Sequence, residues 1–172
     1  MPKINKTPEA IVVRLPNCNA ISSGYDDYDG VINKFMGFLW SENSTGKEFP
    51  MSNVLFGDGD FILFKENGGK DLNWVRAVPD SVTANDTAPY KLGGFPGGLY
   101  AVAPCVHMDM ESLGAVLDRV YAWLKTTGFR FDETRGFLNM KQMVYMHDDK
   151  EITDGLGYGQ WMIYVPVKRQ VE

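Results

Sequence analysis

Two histidines and two cysteines are the only imidazole and thiol groups in this 172-residue sequence, and their spacing limits what they can do. Cys105 and His107 stand two apart in an apolar run that reads as a strand, which turns both side chains to one side. A thiol beside a base suits nucleophilic catalysis, but no motif supplies a third group to orient the imidazole, so a core or surface pair is the plainer reading. Zinc needs His and Cys in close pairs; His147 and Cys18 are isolated, and neither a metal nor a cofactor is expected. Gly155-Leu156-Gly157-Tyr158-Gly159 leads into a strand and not a helix, so it lacks the helix amino terminus that lets glycine loops bind phosphate. Asp58, Asp60, Asp148 and Asp149 lack the loop spacing and terminal glutamate of a calcium site and read as solvated turns. Glu111 and Asp109 are the acids with reach to activate a water against a strained electrophile, although nothing in the sequence tunes either one.

Aromatic side chains are a richer signal. Four tryptophans, eight tyrosines, ten phenylalanines and nine methionines are many for this length. Trp74, Tyr100, Tyr145 and Trp161 fall on expected strands, and Trp40 and Trp123 fall near helix ends. Rings with a polar tip are what a permissive apolar pocket uses, and an adaptable thioether adds to such a wall. Any single ring is equally at home in a core. The expectation of a small-molecule pocket therefore rests on the set.

The elements that must position these residues follow from pattern. Trp74-Val75-Arg76-Ala77-Val78-Pro79 and Trp161-Met162-Ile163-Tyr164-Val165-Pro166 share Trp-x-x-x-Val-Pro at an offset of 87, and Cys18 and Cys105 repeat that offset. Each cysteine lies near the end of an apolar run, Ala10 to Leu15 and Leu99 to Pro104. Between these anchors Val31, Ile32, Phe35, Phe38 and Leu39 form one helical stripe, and Leu113, Val116, Leu117, Val120, Tyr121 and Leu124 form another. Asp109 or Glu111 suits the first turn of the second helix, and Gly46 and Gly128 suit the left-handed position after a helix end. Strand candidates follow: Val54 to Phe56, Phe61 to Phe64 and Leu72 to Val78, then Leu138 to Met146 and Gln160 to Val167, the last pair joined by a turn-rich stretch from Asp148 to Gly159. Pro79 to Pro96 reads as the linker. The expected architecture is α+β: two duplicated strand-helix-strand-strand units, residues 10–80 and 90–168, forming a curved antiparallel sheet with two helices and a central cavity, the whole of residues 1–172 being one domain.

Composition narrows the function classes. At 44% hydrophobic and 23% charged, the chain has the make-up of a globular domain with one sizeable core. A formal net charge of −5, with Lys and Arg scattered, leaves no stripe that would neutralise phosphates, so direct nucleic-acid contact is not expected. No signal peptide is visible and no run approaches the ~20 apolar residues that span a bilayer, which gives no membrane partner and a reducing cytoplasmic location as the expectation. The cysteines then read as small hydrophobes. The three Asn-x-Thr sequons, at Asn5, Asn43 and Asn85, carry no weight there.

Gly93-Gly94-Phe95-Pro96-Gly97-Gly98-Leu99-Tyr100-Ala101-Val102, Val120-Tyr121-Ala122-Trp123-Leu124 and Trp161-Met162-Ile163-Tyr164-Val165-Pro166-Val167 resemble, in order, the opening strand, helix and closing strand of GyrI-like domains. These are the effector-binding domains of AraC-type and other multidrug-responsive regulators. The resemblance implies a fold enclosing a ligand cavity, a lipophilic or aromatic small molecule as partner, and a DNA-binding protein or domain that reads the signal. A subgroup of such domains hydrolyses cyclopropane-bearing genotoxins, which is the enzymatic alternative. Members that bind cationic drugs carry a glutamate in an E-x-Y motif, and the matching stretch here is Met143-Val144-Tyr145, so a methionine stands where the glutamate would be. The ligand-binding set so implied is Trp40, Trp74, Tyr100, Tyr121, Trp123, Met143, Tyr145 and Trp161, with neutral or aromatic ligands favoured over cations. On this alignment, Met143→Glu should lower stability while improving affinity for lipophilic cations.

Overall fold

The computed structural model describes residues 8–39, 60–65, 72–143 and 150–170. Contacts divide the chain into two units, Pro16–Gly97 on one hand and Met1–Leu15 with Gly98–Glu172 on the other. The fold is α+β, with antiparallel strand pairs and, in each unit, a helix packed on the strands.

In the unit of residues 16–97, strands β2 (Asn19–Ser22), β3 (Asp60–Phe64), β4 (Leu72–Val78) and β5 (Lys91–Gly94) lie in the order β3-β4-β2-β5. Helix α1 is π-helical over Asp29–Phe35 and α-helical over Met36–Leu39. The wider π turn keeps residues four apart nearly in line, so Val31, Phe35 and Leu39 are all fully buried. They meet Ile21, Leu72, Trp74 and Val78 in one cluster, with the Phe35 ring edge-on to Tyr90 at 4.7 Å. β4 is buried on both faces along its length and reads accordingly as a nearly continuous apolar run. A short helix α2 (Ala84–Thr87) opens on a reciprocal cap between Thr83 and Asp86. The stretch from Pro79 to Pro96 is therefore not a plain linker: it contains α2 and the edge strand β5. β5 has a single apolar side chain and owes its form to pairing with β2, a contact that local pattern does not encode.

The second unit uses β1 (Ile11–Leu15), β6 (Gly98–Val106), β8 (Asn139–Met143) and β9 (Gln160–Arg169) in the order β1-β6-β9-β8, with β7 (Phe129–Phe131) added to the end of β9. Helix α3 (Met110–Leu124) is capped by Asp109, whose carboxylate accepts from Ser112 N at 2.9 Å. It lays Leu113, Val116, Val120, Trp123 and Leu124 on Ala101, Ala103 and Cys105 of β6 and Trp161, Ile163, Val165 and Val167 of β9. Its far end is closed by the hydroxyls of Thr126 and Thr127, which donate to the Trp123 and Leu124 carbonyls at 2.8 and 2.9 Å. Gly128 is accordingly not a left-handed cap; the glycines with positive φ are Gly24, Gly98, Gly136 and Gly157 among the described residues. Within the stretch Asp148 to Gly159 read as turns, Lys150–Leu156 forms helix α4, which buries no residue and so shows no stripe. Pro166 is tolerated inside β9 because β8 pairs with Trp161 to Tyr164 and β7 begins only at Val167.

The register also corrects the cysteine match. Cys105 stands opposite Trp161, whereas the backbone N–H of Ser23, not that of Cys18, bonds the Trp74 carbonyl at 2.9 Å. Cys18 precedes β2 and its carbonyl accepts from Phe95 N at 2.7 Å.

Glycines of the Pro-Gly-Gly run have steric causes. A Cβ on Gly97 would lie 2.4 Å from the Pro16 carbonyl oxygen. Gly98 has φ +132°, and a Cβ there would run into the Arg135 guanidinium. Gly98→Ala should cost about 2 kcal/mol from backbone strain alone, with more if Arg135 is displaced. Chemical denaturation reads this directly, and a loss under half that figure would show that the strand relaxes around the new methyl group.

Candidate functional site

Two sides of the β1-β6-β9-β8 sheet carry different chemistry. On the side covered by α3, Lys141 of β8 faces Ile163 in register and is only 4% exposed. Its ammonium lies 4.5 Å from the centre of the Trp161 ring, and His107 meets the same ring edge-on at 4.7 Å. Burial pushes Lys141 down to about 8, partly offset by the neighbouring Cys105. Burial pushes the Cys105 thiol up to about 11, against the pull of Lys141. A thiol held protonated is a poor nucleophile, and Cys18 is shifted the same way by burial and by Asp80. The Cys105 and His107 pair thus belongs to a packed wall around Trp161. Among the described residues no group of three His, Cys, Asp or Glu side chains could hold a metal ion.

On the side turned away from α3, alternation places Tyr100 of β6, Tyr164 of β9 and Met140 and Gln142 of β8. All four are buried, at 0%, 2%, 0% and 1% exposure. The two tyrosine rings meet edge to face with centroids 6.2 Å apart. Tyr164 Oη donates to Gln142 Oε1 at 2.6 Å. Burial holds both phenols protonated, Tyr100 up to about 12 and Tyr164 higher still. The Arg135 guanidinium lies 5.4 Å from the centre of the Tyr100 ring, in the space that Gly98 leaves open. Arg135 Nε donates to Asp132 at 3.2 Å, and Thr134 and Lys168 bind the other Asp132 oxygen at 2.6 and 3.3 Å. Burial opposes ionisation of Asp132, but these hydrogen bonds outweigh it and hold the carboxyl below its ordinary range. The carboxylate near Tyr100 is thus already engaged.

The residues singled out in the sequence are distributed over several environments. Tyr100 lies on the tyrosine face. Trp161 lies under α3 with its indole N–H unpartnered among the described residues, as does that of Trp123 in the last turn of α3. Tyr121 is half-buried against Phe131 at 6.0 Å. Trp74 lies in the other unit, its ring against Phe35 and its N–H donated to Asp60 at 3.1 Å. Met143 stands opposite Trp161 in register, while Trp40 and Tyr145 lie outside the described residues. Asp109 is occupied as a helix cap and Glu111 is exposed in the first turn of α3. Sequence reasoning missed Gln142, Tyr164, Lys141 and Arg135. Tyr164 was visible inside the Trp-x-x-x-Val-Pro strand, and the Lys141-Gln142 pair was visible as two adjacent polar residues in a strand, which alternation turns to opposite sides.

A sheet of this order, backed by α3 and carrying a buried tyrosine face, fits the GyrI-like fold. No protein-family model matches the chain, and no curated protein sequence matches it. Solved structures do. The C-terminal domain of EcmrR aligns with a TM-score of 0.64 at 12% identity over 94% of this chain and 98% of that one. A hydrolase from Listeria innocua aligns with a TM-score of 0.63 at 17% identity over 97% and 93%. SAV2435 bound to tetraphenylphosphonium aligns with a TM-score of 0.54 at 14% identity over 94% of each chain. The fold neighbours thus include a domain of a DNA-bound protein, EcmrR, and a hydrolase. In the described residues no helix is long and apolar enough to cross a membrane.

Proposed function

We propose that this chain is an effector-binding module that takes up a hydrophobic, aromatic small molecule on its tyrosine face and passes the binding event to a DNA-binding partner protein or domain. The observation that carries this reading is the buried Tyr100–Tyr164 pair on the side of the sheet away from α3, where two rings and Met140 offer an apolar, polarisable wall with hydroxyl tips. The solved EcmrR–DNA complex, which contains a domain of this fold, supports the regulatory half of the proposal. Uncharged ligands suit this face better than cations, since the Asp132 carboxylate beside it is committed to Arg135, Lys168 and Thr134.

Saturating the protein with a neutral polycyclic aromatic dye should raise its melting temperature. At a hundredfold excess over Kd the gain is about 2.7 kcal/mol, or roughly 5–10 °C for a chain of this size. A broad panel of neutral and cationic aromatics that leaves the melting temperature unmoved would overturn the reading. The enzymatic alternative separates cleanly: a cyclopropane-bearing compound recovered intact after long incubation supports binding without hydrolysis, and its ring-opened product supports the hydrolase.

A further inference from the structure

Gln142 is the one polar side chain of β8 on the tyrosine face, and half of its amide is unused. Its Oε1 accepts from Tyr164 Oη at 2.6 Å, which orients the amide with Nε2 pointing away from the phenol. The residue is 1% exposed, and Nε2 has no hydrogen-bond partner among the described residues. A buried amide N–H without an acceptor costs free energy in the empty protein, so an arriving acceptor recovers more than an ordinary hydrogen bond returns at a wet surface.

We infer that Gln142 selects the ligand, its Nε2 donating to a carbonyl or other neutral acceptor oxygen on an aromatic frame. The inference rests on the proposed function and names the ligand class for the same face. Three features set the class. An amide carries no net charge, so a carboxylate or sulfonate would arrive as a buried anion with only dipolar compensation. The positive end of the N–H dipole disfavours a cation at the same spot. Lys141, the neighbouring cation in sequence, is turned by strand alternation to the α3 side of the sheet and is not presented to this face. Tyr164 acts as the positioning residue: its phenol stays protonated because burial raises its pKa far above the ordinary value, so the proton that orients the amide stays in place across the physiological range.

The test pairs two rigid neutral aromatics that differ by one carbonyl, 9-fluorenone and fluorene, titrated against the full chain with calorimetry and thermal shift as readouts. The expected result is tighter binding of fluorenone by roughly tenfold, the size of one buried donor satisfied or left bare. Gln142→Met should abolish that preference while leaving fluorene affinity in place. Gln142→Glu keeps an acceptor for Tyr164 and replaces the N–H with a carboxylate oxygen, so it should lose the preference for fluorenone and gain affinity for tetraphenylphosphonium; it serves where the methionine variant fails to fold. Equal affinity of the wild-type protein for the two compounds, or a preference that survives both substitutions, overturns the assignment of Gln142 while leaving the binding function intact. Failure of both compounds to bind wild type overturns this inference, and the binding function falls with it when the broad aromatic panel also leaves the melting temperature unmoved.

Discussion

Replacing Asp60 with alanine should destabilise the unit of residues 16–97 by about 3–5 kcal/mol, the cost of removing one partner of a largely buried ion pair. Asp60 receives Arg76 through two hydrogen bonds of 2.5 Å, one to each carboxylate oxygen, and accepts from Trp74 Nε1 at 3.1 Å. The Arg76 and Asp60 side chains are only 10% and 19% exposed, so solvent repays little of the lost charge interaction. The two residues face each other across β3 and β4, so the loss also loosens the strand pair that carries Trp74 against Phe35. Asp60→Asn keeps an acceptor for the indole and should cost about half as much. Melting temperature is the direct measure, with roughly 10 °C expected for the alanine variant. A fall of only 1–2 °C would show that the pair contributes no more than an exposed one.

The second large effect concerns Lys141, and its sign can be followed group by group. Burial lowers its folded pKa to about 8 from 10.5, so between those values the unfolded chain holds a proton that the folded chain has released, and stability rises with pH. Cys105 works in the opposite sense: raised from 9.0 to about 11, it keeps its proton when folded while the unfolded thiol loses it, and stability falls across that window. Tyr100, raised from 10.0 to about 12, adds a further fall at higher pH. The stability profile should therefore climb by on the order of 1 kcal/mol from pH 8 to 9, level off, and decline above pH 10. Lys141→Met should remove the climb and stabilise the protein at pH 7 by about 1–3 kcal/mol, because a buried charge gives way to a side chain that fits an apolar site. Urea denaturation at four pH values decides it; a wild-type profile that is flat from pH 7 to 9 would show that the ammonium reaches water.

These effects show which parts of the fold were legible in the sequence. β4 was read from Leu72 to Val78 with its observed bounds, because a strand buried on both faces is a nearly continuous apolar run, broken here by Asn73 and Arg76. The α3 stripe was equally plain, since a long helix on a sheet needs one apolar face, whereas the choice between Asp109 and Glu111 at its start stayed open until the structure placed Asp109 as the cap and Glu111 in the first turn. β2, β5 and β7 escaped because strands of three or four residues draw their form from the neighbour they pair with. α4 escaped because it buries nothing. The site shows the same division. Tyr100 was named from the Gly-Gly-x-Tyr-Ala-Val run, whereas Gln142 was passed over: its importance lies in a hydrogen bond to Tyr164, 22 positions away, and in the half of the amide left unpaired. The register puts Gln142 on the strand positions that alternate with Lys141 and share a side with Tyr164.

The path of the chain through its two units bears on how the protein is made. Residues 16–97 form one uninterrupted stretch, whereas the other unit takes β1 from before that stretch and everything else from after it. Pairing β1 with β6 thus closes a loop of 82 residues, an entropic cost of ~4 kcal/mol if the intervening chain is still disordered. On the ribosome the contiguous stretch emerges ahead of β6, and its folding shortens the span that β1–β6 pairing must close. Until then Ile11–Leu15 is an edge without a partner, and Arg14, the one charged residue in a strand of Ile, Val and Leu, is what guards it against pairing with another nascent chain.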